Sequence, residues 1–494
     1  MTNVSLNFLF RPFLIVGEII FFIALFISLS TLLREHARLS HVEQVKASGK
    51  LRVLTRYGVT TYFEMGEEFA GFEYELVSRF AEWLGVKPVF IVPERFPELL
   101  AKILAGEADM AAAGLTITEV RSQYLRFSSP YQKVTEQLVY RDSQRRPRSV
   151  ADLQNGILEV VAGSSHVDTL QRWRKKFPQL SWIANQSHSS EALMDLLNEG
   201  LIDYTVADSN QLAALRRFYP RLRPAFDLSA ERALAWAFSK RHDGTLHQAA
   251  VVFLEELKQN KILDQLLERY YGHVERMEYA DVCTFRKHFK ERLPRYLAYF
   301  KEAAQKFDMD WRLLAAISYQ ESHWNVKALS PTGVRGLMML TRKTAKQIHV
   351  ADRLDPRESI LGGTRYLVAL KKKIPARIPE PDRTWFTLAA YNIGFGHLED
   401  GRVLTQSLGG NPDKWMDVKK HLPLLAKKKW YQRTKHGYAR GWEPVRYVEN
   451  IRNFYDLLIW LTSKPKTRSL ETKLSPPEKE KESSPIPTQT PAPI

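Results

Sequence analysis

At 494 residues the chain is too long for one ordinary domain and long enough for two or three, each with a real hydrophobic core. Its formal net charge is +17, from 72 Lys and Arg against 55 Asp and Glu, which points to an anionic partner: nucleic acid, anionic lipid or an acidic cell wall. No zinc spacing, arginine-rich arm or helix-turn-helix pattern supports nucleic acid. The single cysteine, Cys283, excludes an intrachain disulfide and a cysteine metal site.

Arg11 and Pro12 precede an apolar run from Phe13 to Leu33, interrupted by Glu18. Residues 1–30 therefore read either as a signal peptide, with Ser28-Leu29-Ser30 as a small-x-small cleavage site, or as a retained anchor, since residues 13–33 reach the length of a membrane span. The segment has no cysteine to carry a lipid. Either reading places the rest of the chain outside the cytoplasm. Residues 31–47 read as a polar linker.

From residue 48 to 272 strand and helix patterns alternate. Leu51–Leu54, Val89–Val92 and Ala108–Ala111 predict strands. Gly71 leads into a helix through Phe80 and Trp83, and Pro97–Ala105 predicts another. Such alternation predicts an α/β domain with largely parallel sheets. Residues 273–295 read as a polar connector, with Cys283 a lone semi-buried thiol. Residues 296–462 read as mainly helical, over Leu297–Phe307, Trp311–Glu321, Thr341–Ile348, Ile360–Lys373, Trp385–Tyr391, Asp413–Leu425 and Glu443–Leu461. Residues 463–494 hold seven prolines and no aromatic residue, a composition that predicts a disordered tail.

The residue that draws most attention is Glu321. Asp310 is placed to cap a helix in which Leu314, Ile317 and Glu321 share one face. A carboxyl held against apolar groups resists ionisation, which is what a general acid near neutral pH needs. Taken alone, the residue reads first as a solvated Glu at a helix end. No second acid stands at a comparable position: Asp352 and Asp355 read as caps or turns, and Glu399 and Asp400 as part of a polar loop. His323 and His397 are single, so no metal or cofactor is expected.

Four ordered motifs carry a resemblance. Glu321-Ser322, Gly336-Leu337-Met338-Met339, Ala390-Tyr391-Asn392-x-Gly394 and Tyr447-Val448-x-Asn450-Ile451 resemble the goose-lysozyme-like catalytic domain of soluble-type lytic transglycosylases. The wider family has Gln where Met339 stands, so an amide able to bond sugar or Glu321 is absent. The resemblance implies cleavage of the β-1,4 bond of peptidoglycan without water. Glu321 would act as acid and then base, and the muramic 6-hydroxyl would close a 1,6-anhydro ring. It also implies substrate-binding roles for Ser322, Met338, Tyr391, Asn392, Gly394 and Tyr447. Ser322 would orient Glu321 or the N-acetyl group, Met338 would line the saccharide groove, and Gly336 and Gly394 would let backbone approach the sugar.

The earlier half resembles periplasmic solute-binding proteins that take amino acids, through Gly71-Phe-Glu-Tyr, Gly106-Glu-Ala-Asp-Met, Thr116-Ile-Thr-x-x-Arg121, Phe127-Ser-Ser-Pro-Tyr131, Gly163-Ser-Ser and Asp208. The resemblance implies two lobes, the second from about Asp142 to Ser229. It also implies Arg121 as a carboxylate clamp, Asp208 as the partner of an amino group, and Thr116 and Ser164 as further ligand contacts. The expected ligand is a wall stem peptide or an amino acid. Without the resemblance, Arg121 also reads as a surface ion-pair residue and Asp208 as a helix cap.

Together the halves resemble the membrane-bound lytic murein transglycosylase F family. That implies a periplasmic enzyme peripheral on the outer membrane, inner-membrane anchoring by residues 13–33 being the alternative. A receptor with an inactive glycan-binding module, or an ordinary muramidase, are the competing functions.

Overall fold

A computed structural model describes residues 39–65, 68–272, 279–330 and 333–462. The apolar N-terminal run and the proline-rich tail lie outside these residues. Among the described residues no helix is long and apolar enough to cross a membrane.

The expected linker is partly structured. Ser40 and Glu43 form a capping box, which starts a helix at His41–Ser48, and Gly49 ends it at φ 66°. Val45 is buried in the first lobe's core, and His41 Nε2 lies 3.2 Å from Asp109 Oδ1.

Two five-stranded sheets follow. The first runs, edge to edge, Lys87–Ile91, Lys50–Leu54, Met110–Ala111, Ala237–Ser239 and Leu125–Phe127. Lys50–Leu54 pairs parallel with both neighbours, while Ala237–Ser239 is antiparallel to its own. The helix Phe72–Leu84 buries Phe72, Leu76, Val77 and Phe80 in this lobe. The second sheet runs Ile183–Asn185, Leu158–Val161, Tyr204–Asp208, Glu136–Arg141 and Leu222–Asp227. Gln132–Val134 pairs antiparallel with Arg232–Leu234, and these two strands carry the chain between the lobes. The second lobe thus starts before Asp142. Only Thr135 stands between the crossing strand and Glu136–Arg141, so no turn residue in the sequence separates them.

The C-terminal half is helical. We label its principal helices α1 (Tyr279–Glu291), α2 (Leu297–Phe307), α3 (Trp311–Ser322), α4 (Pro356–Lys371), α5 (Asp382–Ile393), α6 (Phe395–Ser407) and α7 (Trp442–Thr462). Asp310 caps α3 by accepting from Arg312 N at 2.8 Å, and Asp355 caps α4 by accepting from Glu358 N at 2.7 Å. With its first turn set by that cap and Pro356, α4 begins four residues before the apolar pattern does. Glu399 and Asp400 belong to α6, not to a loop.

The connector is also more than a linker. α1 inserts the fully buried Phe285 against Tyr319, Trp324 and Phe454, at ring distances of 4.6, 5.5 and 5.3 Å. Val282, Phe285 and His288 form its inward stripe. Cys283 falls off that stripe and is exposed, which corrects the semi-buried reading.

Candidate active site

α3 is the centre of the helical half. Leu314 through Tyr319 are all buried, and the helix packs along α7. After Ser322 the chain turns through His323 and Trp324, at φ 51° and 54°. A left-handed conformation is costly for a bulky residue. The cost is offset by Trp324, which is 1% exposed and donates its indole N–H to Ala315 O at 2.9 Å. Deleting such a side chain costs on the order of 3–5 kcal/mol. The turn fixes where α3 stops, and so fixes Glu321 in its last turn.

The Glu321 carboxyl is packed around by protein, although the residue keeps some exposed surface. Burial raises its pKa from 4.5 to about 7, against the opposing pull of a hydrogen bond from Tyr447. The Tyr447 hydroxyl donates to Glu321 Oε1 at 2.5 Å. Tyr447 sits on α7 and is 5% exposed; burial and the nearby carboxyl keep its phenol protonated. Tyr391, on α5, lies within electrostatic range of both, and its hydroxyl donates to Met338 O at 2.9 Å. No second carboxylate contributes to the Glu321 shift. The other candidates are occupied: Asp400 accepts the backbone N–H groups of Lys435 and His436, Glu399 pairs with Arg402, Asp355 caps α4, and Asp352 accepts from Leu354 N.

Three expected contacts fall differently. Ser322 does not point at Glu321; its hydroxyl reaches Ser318 O at 3.0 Å and Leu337 O at 2.9 Å, bracing the Gly-Leu-Met segment against α3. Met338 is fully buried against Gly363 on α4, so its side chain fills the core and does not line a groove. Its backbone carries the useful contact, through the carbonyl that holds Tyr391. A Cβ on Gly336 would lie 1.9 Å from Arg353 O, so that glycine admits protein backbone, not sugar. Gly394 differs: at φ 90°, a Cβ there meets nothing within 4 Å. Asn392 is exposed just ahead of it. Met339 is half-buried at φ 44°.

Sequence reasoning missed the braces behind the site. Ser318 Oγ donates to Leu337 O at 3.1 Å, Ser359 Oγ accepts from Met338 N at 3.2 Å, and the Arg353 guanidinium donates to Leu340 O at 2.8 Å. A buried Ser at the i−4 position from Ser322 was the one available signal.

Between the lobes, Thr116, Arg121 and Asp208 converge. Arg121 is 8% exposed and donates to Thr116 O at 3.0 Å and to Gly163 O of the second lobe at 3.1 Å. Ser164 turns its hydroxyl back to Val161 O at 2.6 Å, while its neighbour Ser165 reaches Thr116 Oγ1 at 3.4 Å. Asp208 stands at the N-cap position of the helix Ser209–Arg216 but makes no side-chain cap. It faces His166 Nε2 at 3.3 Å instead. Burial opposes charge on His166, but Asp208 outweighs it and lifts the imidazole above its ordinary pKa. Glu136 completes a buried acidic and imidazole group with ligand-type atoms within 4.8 Å. Its oxygens are already taken by Arg232 at 3.1 Å and by the Thr169 hydroxyl, so it reads as a charge network. Its members lie far apart in sequence, which hid it from spacing.

A buried carboxyl with a raised pKa, clasped by one phenol at the end of a helix, is equipped for acid catalysis near neutral pH. The Transglycosylase SLT domain family matches residues 298–412, and the Bacterial extracellular solute-binding proteins, family 3, match residues 51–273. The chain is 47% identical over 419 residues to the membrane-bound lytic murein transglycosylase F of Saccharophagus degradans, covering 85% of this chain and 84% of that one. It is 46% identical over 430 residues to membrane-bound lytic murein transglycosylase F 1 of Alkalilimnicola ehrlichii, covering 87% of each. Among solved structures, the P235GK mutant of ArgBP from T. maritima aligns at 24% identity and a TM-score of 0.42, covering 47% of this chain and 99% of that one. The chain belongs to the membrane-bound lytic murein transglycosylase F family of peptidoglycan lytic transglycosylases.

Proposed function

We propose that this enzyme cleaves the bond between N-acetylmuramic acid and N-acetylglucosamine with Glu321 as its only catalytic carboxyl. Protonated Glu321 gives its proton to the glycosidic oxygen as the C1–O bond breaks. The N-acetylglucosamine hydroxyl leaves, and the muramic C1 is left cationic, supported by its own N-acetyl group. The Glu321 carboxylate then takes the proton of the muramic 6-hydroxyl as that oxygen bonds to C1. The proton returns to Glu321, the anhydro ring closes, and no water enters. Tyr447 steadies the carboxylate between the two transfers. The observation that carries this reading is a carboxyl raised to about 7 with no second acid acting on it. Most glycosidases that use water pair two carboxylates at the scissile bond.

Mass spectrometry of the soluble products from purified sacculi tests it. Anhydro-muropeptides from the wild type and none from Glu321→Gln are expected. Products with reducing ends would establish a hydrolase. Glycan binding without any product would establish a binding module.

The interlobe cleft takes the carboxylate end of a wall stem peptide or amino acid on Arg121, with Asp208 receiving the amino end. The cleft is linked physically to the catalytic half. Glu268 bonds Lys419 at 2.7 Å and Arg452 at 3.2 Å, Arg217 pairs with Asp456, and Phe218 stacks on Trp460 at 5.1 Å. Occupancy of the cleft therefore alters turnover at Glu321. Calorimetry with muropeptides, repeated on Arg121→Ala, reads the binding; turnover with and without the same peptide reads the coupling. The exported enzyme works in the periplasm, on the inner face of the outer membrane.

A further inference from the structure

One surface stretch takes no part in the reading above. Residues 427–442, KKKWYQRTKHGYARGW, contain six Lys or Arg and no Asp or Glu. Arg440 pairs with Glu443 at 3.1 Å. Lys427, Lys428, Lys429, Arg433 and Lys435 are all exposed, and none has an acidic partner among the described residues. Aromatic rings are set among them. Lys429 lies 5.4 Å and Arg433 6.0 Å from the Trp430 ring centroid. Tyr431 meets Tyr438 edge-on at 5.7 Å, and Tyr438 and Trp442 are 54% and 43% exposed.

This loop is held at its middle by α6 and runs at its end into α7, whose Tyr447 bonds Glu321. On one side Lys435 N and His436 N donate to Asp400 on α6, and the His436 ring packs against Gly396, where a Cβ would lie 2.8 Å from it. Gly396 follows the open Gly394 turn by two residues. On the other side the loop runs into α7, and Tyr447 comes five residues after Trp442. The loop thus joins the two segments that flank the catalytic carboxyl.

Uncompensated cations interleaved with exposed rings suit an anionic, partly saccharide polymer. We propose that residues 427–442 bind the stem-peptide carboxylates of the glycan strand being cleaved, so that the enzyme selects peptide-bearing over peptide-neutral wall. This rests on the transglycosylase reading and names the part of the substrate outside the sugar that the site reads. The continuity with Gly394 and Tyr447 favours the wall strand over a membrane surface as the occupant.

The test compares wild type with K428Q/K429Q/R433Q/K435Q, and with the milder K428Q/K429Q in case the quadruple variant melts early. The substrates are untreated sacculi and the same sacculi with peptide carboxylates converted to amides by carbodiimide and ammonia. On untreated sacculi the quadruple variant should lose about tenfold in kcat/KM, and raised salt should shrink the wild-type advantage. On amidated sacculi the two proteins should differ by less than about twofold, because the charge the loop reads is gone. Equal losses on both substrates, or none on either, overturn the proposal. So does loss of binding to anionic phospholipid vesicles with cleavage of sacculi unchanged, which would make the loop a membrane surface. If the wild type releases no anhydro product at all, the reaction assigned to Glu321 fails instead. Sedimentation of the Glu321→Gln protein with the two kinds of sacculi, with and without the loop changes, then still decides the loop.

Discussion

Replacing Glu321 by Gln should stabilise the protein, and only at high pH. Burial holds the carboxyl at about 7 instead of 4.5. At roughly 1.4 kcal/mol per pH unit, that difference amounts to at most about 3.5 kcal/mol. The sign follows from proton counts. Between the two pKa values the folded chain holds a proton the unfolded chain has lost, so stability falls as pH rises through this window and stays low above it. At pH 8 the wild type carries nearly the whole cost, about 3 kcal/mol; at pH 5 it carries less than about 1 kcal/mol. Gln is neutral at both, nearly the same size, and can still accept the Tyr447 hydroxyl. Urea unfolding of wild type and Glu321→Gln, followed through the transition of the helical half, should give nearly equal stabilities at pH 5 and a gap of a few kcal/mol at pH 8. A gap independent of pH would mean that the carboxyl is not held neutral by its surroundings. A variant less stable than wild type at pH 8 would mean the same.

The same titration sets the rate. kcat/KM for anhydro-muropeptide release should fall above about pH 7, as the acid form of Glu321 disappears. Tyr447→Phe removes a donor that favours the carboxylate, so it should move that limb to higher pH and lower the rate on the order of a hundredfold. Gly336→Ala drives a Cβ into Arg353 O and should cost at least about 2 kcal/mol in a thermal melt. Gly394→Ala meets no atom, so it should melt within about 1–2 kcal/mol of wild type yet lose activity where the sugar has to approach. Ser322→Ala leaves Leu337 O without one of its two hydroxyl donors and should cost roughly 1 kcal/mol, with a drop in kcat as the segment under Tyr391 loosens.

How legible this was depended on the range of the interaction. Alternation of period, caps such as Asp310 and the apolar faces of helices are local, and they carried the α/β half and most of the helical half. The burial of Glu321 followed from Leu314 and Ile317 on its own helix face. Its phenol partner lies 126 residues away, and only the ordered motifs placed Tyr447 near it. The direction of a side chain was harder still. Gly-Leu-Met-Met reads as a groove motif, but Met338 turns inward to fill space beside Gly363, and its carbonyl does the holding. α6 reads as a loop in sequence because the glycines at 394, 396 and 401 and Asp400 suppress helical signals. Tertiary packing overrides them: a Cβ on Gly401 would meet Leu422 and one on Gly396 would meet His436, so two of those glycines are close-contact points. The Glu136, His166 and Asp208 group was invisible because strand pairing, not spacing, assembles it.

The placement of Phe285 bears on how such chains can be recombined. The helix that looks like a tether between two modules supplies a ring to the stack in the core beneath α3, together with Tyr319, Trp324 and Phe454. A cut at the start of α2 would leave that stack with a hole the size of a phenyl ring. The inheritable unit of catalysis accordingly includes Val282 and Phe285 of α1. A gene fusion that grafts this lyase onto a different N-terminal domain has to carry the tether along with the enzyme.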